Sequence, residues 1–352
     1  MPAMFARSLV LTLAMLAGPL LSGAGPAPAL QVSTSAQTAP AAWKYYRTGN
    51  SADLAVQPRA GLALMGGGAH QEAAFHFLCE RANGGDFLIL RANTDQHDAQ
   101  EENEEVRASC PLNSVATIVF AGREDSDDPR VLQIIEQAET IFIAGGDQSN
   151  YVRFWQDTPV QDALNRHIAA GKPLGGSSAG LAVLGEFSFS AMLDTVHSPA
   201  ALANPYGNGI TLSRDFLRIP LLANTITDTH FAKRDRMGRL LAFLARILQD
   251  GWSTSVRAVA VEENAAVLVE PDGTAAVVGT GSAYFLEASG KAELCKYRTP
   301  LQIAGIRVHR APPDGTFNLK IWTGSKGEDY LIGAAQGKVT ALNADGSPHA
   351  IY

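Results

Sequence analysis

The pentapeptide GSSAG, residues 176 to 180, sets Ser178 at the centre of a G-x-S-x-G spacing. A serine hydroxyl lifted above a sheet needs a sharp strand-to-helix turn, and small neighbours are the residues that fit one. The N-terminus of the following helix would then aim backbone N–H groups at a developing oxyanion. Taken alone, such a pentapeptide is equally a tight loop in a serine- and alanine-rich chain. A serine hydroxyl is also a poor nucleophile until a base takes its proton, so a histidine with an acid behind it is required. His230 is best placed: it follows the apolar NTIT of residues 224 to 227, has Asp228 two positions before it and introduces helical text. His70, after MGGG, is its competitor; His76 and His167 sit within helical text, and His97, His197, His309 and His349 in loops or the C-terminal extension. The acid belongs to VAVEEN, residues 259 to 264, where adjacent strand residues point to opposite faces. Glu262 and Glu263 therefore cannot both reach one imidazole, and the spacing leaves both open.

The elements that must carry these groups alternate. Short apolar runs at 61–65, 86–92, 114–120 and 140–146 are separated by helical stretches at 69–82 and 128–138, with an acidic loop, DAQEENEEV, at 98–106. That rhythm predicts βαβ units, an α/β fold whose mostly parallel sheet is sandwiched by helices, with sites collecting where strands end and helices begin. A long helix is expected at 234–249, and strand-and-turn text from 273 onward, with Asp-Gly pairs at 272, 314 and 345, predicts a β-rich extension packed on the same domain. The glycine triplet of MGGGAH lacks the lysine of a phosphate-binding loop and reads as a turn lining the site mouth. The acidic loop lacks the ligand spacing and central glycine of a calcium loop and reads as solvated.

The first 29 residues carry Arg7, an apolar run from Leu9 to Leu21 and a small-residue exit at Ala27-Pro28-Ala29, the pattern of a secretory signal peptide cleaved after Ala29. The apolar run is shorter than the roughly 20 residues of a membrane span, so stable membrane association after cleavage is not expected. The expected organisation is a signal peptide at 1–29, a polar N-terminal segment at 30–59, a catalytic domain at 60–272 and the extension at 273–352. Loss of 1–29 moves the formal charge from -7 to -8, and an acidic chain without basic clusters argues against nucleic acid as a partner. Three cysteines, Cys79, Cys110 and Cys295, are too few for a zinc site or a disulfide scaffold; one pair, such as Cys79 with Cys110, would suit an oxidising compartment and leave one thiol over.

IFIAGGDQ (141–148), GGSSAG (175–180), DTHFAKRDRMGRL (228–240) and VAVEEN (259–264), in that order and spacing, resemble the cyanophycinase family of serine peptidases over about residues 60 to 270. The resemblance implies a class I glutamine amidotransferase-like, flavodoxin-like three-layer fold. It implies Ser178 as nucleophile, His230 as general base and then acid, and Glu263, in preference to Glu262, as the group orienting His230. It implies oxyanion donors at Gly146 and Ala179, and polar substrate contacts at Gln148, Asp228, Thr229, Arg234, Arg236 and Arg239. Guanidinium groups suit the free carboxylate of an aspartyl-linked substrate because they bind both oxygens at once. Where cyanophycinases typically carry Gln before the histidine, this chain carries Thr229. The expectation is a secreted or periplasmic exopeptidase acting on aspartyl-linked peptides or polyamides such as cyanophycin, with no metal or organic cofactor, and with a homodimer left open. An aspartyl or isoaspartyl dipeptidase on short peptides is the alternative enzyme, and a binding or scavenging protein that has lost turnover is the alternative of another class.

Overall fold

The computed structural model describes residues 43–69, 72–92 and 98–352, all within one compact unit spanning 41–352. The expected signal peptide and residues 30–42 of the N-terminal segment lie outside the described residues, as do His70 and His97.

Five parallel strands form the centre of the first sheet. In spatial order they are Ser114–Val119, Asp86–Arg91, Thr140–Ile143, Leu174–Ser177 and Leu62–Met65. Their side chains alternate between two cores: Phe87 and Ile89 face one, Leu88 and Leu90 the other, as the twofold strand repeat requires. The first core is closed by helix Glu72–Ala82 through Phe75 and Leu78, and the second by helices Pro129–Gln137, Gln148–Trp155 and Pro159–Ala169 through Val131, Ile135, Trp155 and Leu164. Near-continuous apolar strands follow from this burial on both faces.

The sheet is not purely parallel. Lys44–Gly49, within the polar N-terminal segment, adds an antiparallel edge strand to Ser114–Val119. On the other side Leu62–Met65 pairs antiparallel with Ala265–Val269, which leads to Thr274–Gly279 and two short C-terminal strands. Among the described residues a second sheet of eight strands runs from Lys338–Leu342 to Leu212–Arg214, and parallel pairings join Thr225–Asp228 to Ser255–Val261 and to Phe187–Phe189. Val259 and Phe285 pack into the core of the first sheet while Ala258 and Leu286 face helix Met237–Gln249, so the second sheet lies against the first and is itself covered by a helix. The architecture is α/β with mixed sheets, and the β-rich C-terminal part extends both of them. Among the described residues, no helix is long and apolar enough to cross a membrane.

Two elements depart from expectation. The acidic stretch expected as a loop is the helix Ala99–Ser109. Asp98 caps it by accepting from the N–H groups of Gln100 and Glu101, Glu101 and Glu102 meet the positive end of the dipole, and Arg107 meets the negative end. Buried Ala99, Glu102, Asn103 and Val106 give it an inner face. The polar character that suggested a loop belongs to the outer face, and Glu102 escapes the cost of burial by pairing with Arg91 at 2.6 Å. The long helix begins at Met237, not 234, because residues 231 to 235 turn tightly, with Asp235 at φ 46°.

Candidate active site

Ser178, His230 and Glu263 arrive from the junction of the two sheets. Ser178 follows Leu174–Ser177 of the first, His230 follows Thr225–Asp228 of the second, and Glu263 lies in the connection from Ser255–Val261 to Ala265–Val269. Ser178 is at φ 51°, ψ -115°, and His230 at φ 45°, both in regions that non-glycine residues rarely occupy. The seat of Ser178 is tight: a Cβ added to Gly180 would stand 1.9 Å from the carbonyl oxygen of Ile143. Gly67, at φ +95°, performs the equivalent service for the histidine, since a Cβ there would meet His230 Cε1 at 2.4 Å. Gly67 and Gly68 thus line the site, and a Cβ on the triplet would meet the Glu262 carbonyl oxygen at Gly66, the imidazole at Gly67 and Asn264 Oδ1 at Gly68.

Ser178 Oγ lies 2.7 Å from His230 Nε2, and His230 Nδ1 lies 2.7 Å from Glu263 Oε1. With the proton on Nδ1, the imidazole donates to Glu263 and accepts from the serine hydroxyl, the arrangement in which a base removes the hydroxyl proton. Burial lowers the pKa of His230 below its ordinary value, against the opposing hydrogen bond that the imidazole donates to Glu263 and reinforced by Arg234 and Arg236. The hydrogen bond from His230 is the main cause holding the Glu263 carboxyl below the usual range. Both directions favour a neutral imidazole beside a carboxylate. Glu262 is turned away, accepting from the Ser282 N–H at 2.8 Å and the Tyr284 hydroxyl at 2.7 Å. The two-way choice left by strand alternation thereby resolves into one carboxylate for the imidazole and one for the fold.

Two recesses adjoin at Gly145-Gly146. One, of about 410 Å³, is lined by Ser177, Ser178, Gly67, Gly68 and Gly145, with Phe75, Phe142 and the Arg91–Glu102 pair in its walls. The other, of about 490 Å³, is lined by Gly146, Gln148, Arg153, His197, Arg234 and Arg236. Arg234 is half exposed, 3.9 Å from Glu263. Arg236 is more enclosed; it donates to the carbonyl and hydroxyl oxygens of Thr229, and burial lowers its pKa to about 10. Arg153, which the sequence reading did not single out, reaches the same recess while donating to Met192 O.

Three of the expected substrate contacts lie elsewhere. Asp228, Thr229 and Arg239 are each 2% exposed, and Arg239 grips both oxygens of Asp228. Arg239 is therefore spent on a buried ion pair, and Asp228 on Arg239 and Arg236. A charge this deep must be paired within the protein, so neither residue is a ligand for substrate. Thr229 acts through Arg236 and does not reach the recess surface.

The sulfur chemistry is separate. Cys79 and Cys110 form a disulfide that ties helix Glu72–Ala82 to the residue after Ala99–Ser109. Cys295 is free and buried, and burial pushes its thiol up to about 11. A thiol of that kind is inert at neutral pH.

A family model described as Peptidase family S51 matches residues 102–203, a stretch that holds Ser178 and ends before His230. The chain is 25% identical over 272 residues to a cyanophycinase of Synechococcus elongatus, covering 74% of this chain and 80% of that protein. It is 26% identical over 196 residues to a cyanophycinase of Trichormus variabilis, covering 53% of this chain and 59% of that protein. Among solved structures it is similar to a peptidase from an acI-B1 Actinobacterium, with 16% identity, a TM-score of 0.48, and coverage of 66% of this chain and 96% of that one.

Proposed function

We propose that the chain is a serine peptidase of the cyanophycinase kind, which it resembles at 25% identity over 74% of its length, and that it cleaves aspartyl-linked peptide bonds through an acyl-enzyme on Ser178. The observation that carries this reading is the unbroken chain of 2.7 Å contacts from Ser178 through His230 to Glu263. Ser178 Oγ attacks the scissile carbonyl carbon while its proton passes to His230 Nε2, and Glu263 stabilises the imidazolium that forms. The tetrahedral oxyanion is met by backbone N–H groups at Ala179 and Gly146. Ala179 is the first residue of its helix, where the helix leaves the N–H unpaired. His230 then gives its proton to the leaving amine, the C–N bond breaks, and water attacks the acyl-enzyme by the same route in reverse.

The arginine-bearing recess supports the aspartyl preference. Arg234 and Arg236, with Gln148, offer donors to a free carboxylate on the acyl side of the scissile bond. The polymer cyanophycin, from which β-Asp-Arg dipeptides would be released, is the first candidate substrate. Short aspartyl dipeptides are the second, favoured by Thr229: its short side chain is turned to Arg236 and adds no group of its own to the recess. Export is part of the proposal, supported by the leader pattern of residues 1 to 29 and by the Cys79–Cys110 bridge, which suits an oxidising compartment.

The test is to incubate the purified protein and its Ser178→Ala variant with cyanophycin and a panel of α- and β-aspartyl dipeptides, following released amine. Turnover that disappears in the variant is expected, and the preferred substrate separates polymer from dipeptide activity. If wild type and variant match buffer on every substrate, the peptidase proposal is wrong.

A further inference from the structure

The strand Thr140–Ile143 runs into Ala144-Gly145-Gly146, the segment packed against the Ser178 turn: Gly180 stands against the Ile143 carbonyl, and a Cβ on Gly145 would be 3.5 Å from Ser178 Cβ. Behind this segment lies Tyr151, 1% exposed, on the helix Gln148–Trp155. Its hydroxyl is 2.6 Å from the carbonyl oxygen of Ala144 and 3.1 Å from that of Gly145. Two successive carbonyls converging on one buried hydroxyl is not a strand geometry, in which carbonyls alternate sides.

It has a geometric consequence. Each peptide unit is planar and trans, so its N–H points opposite to its C=O. With the Ala144 and Gly145 oxygens both drawn back to Tyr151, the N–H groups of Gly145 and Gly146 both point away from it, on a segment where Gly145 lines the recess of Ser178 and Gly146 the adjoining one. Adjacent N–H groups on one side of the backbone make an anion-receiving concavity. Among the described residues neither N–H meets an acceptor, whereas the N–H of Ala144 is committed to Leu90 O at 3.0 Å. Gly146 reaches this conformation at φ +137°.

We infer that Tyr151 is a positioning residue for the reaction: its buried hydroxyl holds the Ala144 and Gly145 carbonyls so that Gly145 and Gly146 together present two N–H donors to the tetrahedral oxyanion formed on Ser178. The inference rests on the serine-peptidase reading and deepens it, adding Gly145 to the donor set and naming what orients both donors. Burial raises the Tyr151 pKa, which keeps the hydroxyl protonated and able to donate. The ring itself is a separate matter, packed against Trp155 with centroids 4.6 Å apart.

Tyr151→Phe removes the hydroxyl and retains the ring. Donors that must be aligned before the reaction lose effect when they are free to rotate, and removing one such donor outright slows turnover by about 10²–10³. The variant is expected to lower kcat about tenfold or more, with KM within about twofold and thermal melting close to wild type. Affinity for an aspartyl aldehyde, whose hemiacetal oxygen occupies the oxyanion position, should fall by the same factor as kcat. Labelling of Ser178 by a fluorophosphonate should slow in parallel, a readout independent of which peptide is the natural substrate. Unchanged kcat and labelling in Tyr151→Phe overturn the inference while leaving the peptidase reading intact. A loss that appears in KM or melting temperature and spares the aldehyde-to-substrate affinity ratio also overturns it, since that is what a packing role would produce. Failure of the wild type to label at Ser178 would instead sink the peptidase reading from which the inference starts.

Discussion

At the end of Leu174–Ser177 the backbone turns through Ser178 at φ 51°, and at the end of Thr225–Asp228 it turns through His230 at φ 45°. Both are strand ends carrying a non-glycine residue in an unfavourable conformation, yet their surroundings differ. Ser178 is held by backbone: the Met65 carbonyl accepts its N–H, and Gly180 sits against the Ile143 carbonyl with no room for a methyl group. His230 donates its backbone N–H to the Gly66 carbonyl and its imidazole N–H to Glu263, and two residues before it Asp228 pairs with buried Arg239 and with the partly enclosed Arg236. Both turns are held by a backbone hydrogen bond and by the exclusion of a Cβ, at Gly180 for Ser178 and at Gly67 for His230, and the histidine side adds a compensation of charges. The serine side should fail when an atom is added, and the histidine side also when a charge is removed.

The largest expected effect is at Glu263. Glu263→Gln keeps the shape but removes the carboxylate that fixes the tautomer and stabilises the imidazolium, and kcat should fall about 10²–10⁴-fold. Glu262→Gln, one residue away, should leave kcat near wild type and lower the melting temperature, since Ser282 and Tyr284 lose their anionic acceptor. Similar kinetic losses in the two variants would erase the distinction between them. Next, Asp228→Asn leaves Arg239 buried without its carboxylate, and urea unfolding should show a loss of about 3–5 kcal/mol. A cost below about 1 kcal/mol would mean that charge compensation does not hold the base side together.

Gly180→Ala tests the other side. Overpacking against a backbone carbonyl should cost about 1–3 kcal/mol and slow fluorophosphonate labelling of Ser178. Gly209→Ala, where the nearest atom to the new Cβ is 4.0 Å away, is the control expected to change neither. The smallest effect is in the pH profile. Burial lowers the His230 pKa from 6.5, and the base is competent only when neutral, so the acid limb of kcat/KM should fall below pH 6.5. Because the unfolded histidine takes up its proton at a higher pH than the folded one, the stability contributed by His230 is full above about pH 6.5 and is lost as pH falls through the folded value. An acid limb above pH 6.5 would show that Glu263 outweighs burial and would reverse the assignment of causes.

Several parts of this site were legible before the fold was known. G-x-S-x-G, a histidine preceded by an apolar strand and a pair of glutamates each carry a local signature, and the βαβ rhythm announces a sheet whose strand ends collect functional groups. The acidic helix Ala99–Ser109 was not legible, because its inner face is built from Glu102 and Asn103, whose burial depends on Arg91 and on Thr117, partners distant in sequence. The role of Arg239 was hidden for a related reason: a run of arginines has the same text whether it faces substrate or a buried aspartate.

The sequence by itself determined the residue types that can transfer a proton and attack a carbonyl, together with the small residues their turns demand, because these depend on covalent chemistry and local backbone sterics. Only the tertiary structure decided which glutamate meets the imidazole, which arginines remain available to a ligand and how Gly145 and Gly146 are aimed. Those choices rest on which face of a strand or peptide plane is turned inward and on what is desolvated there, and both are set by elements that meet only when the two sheets pack together.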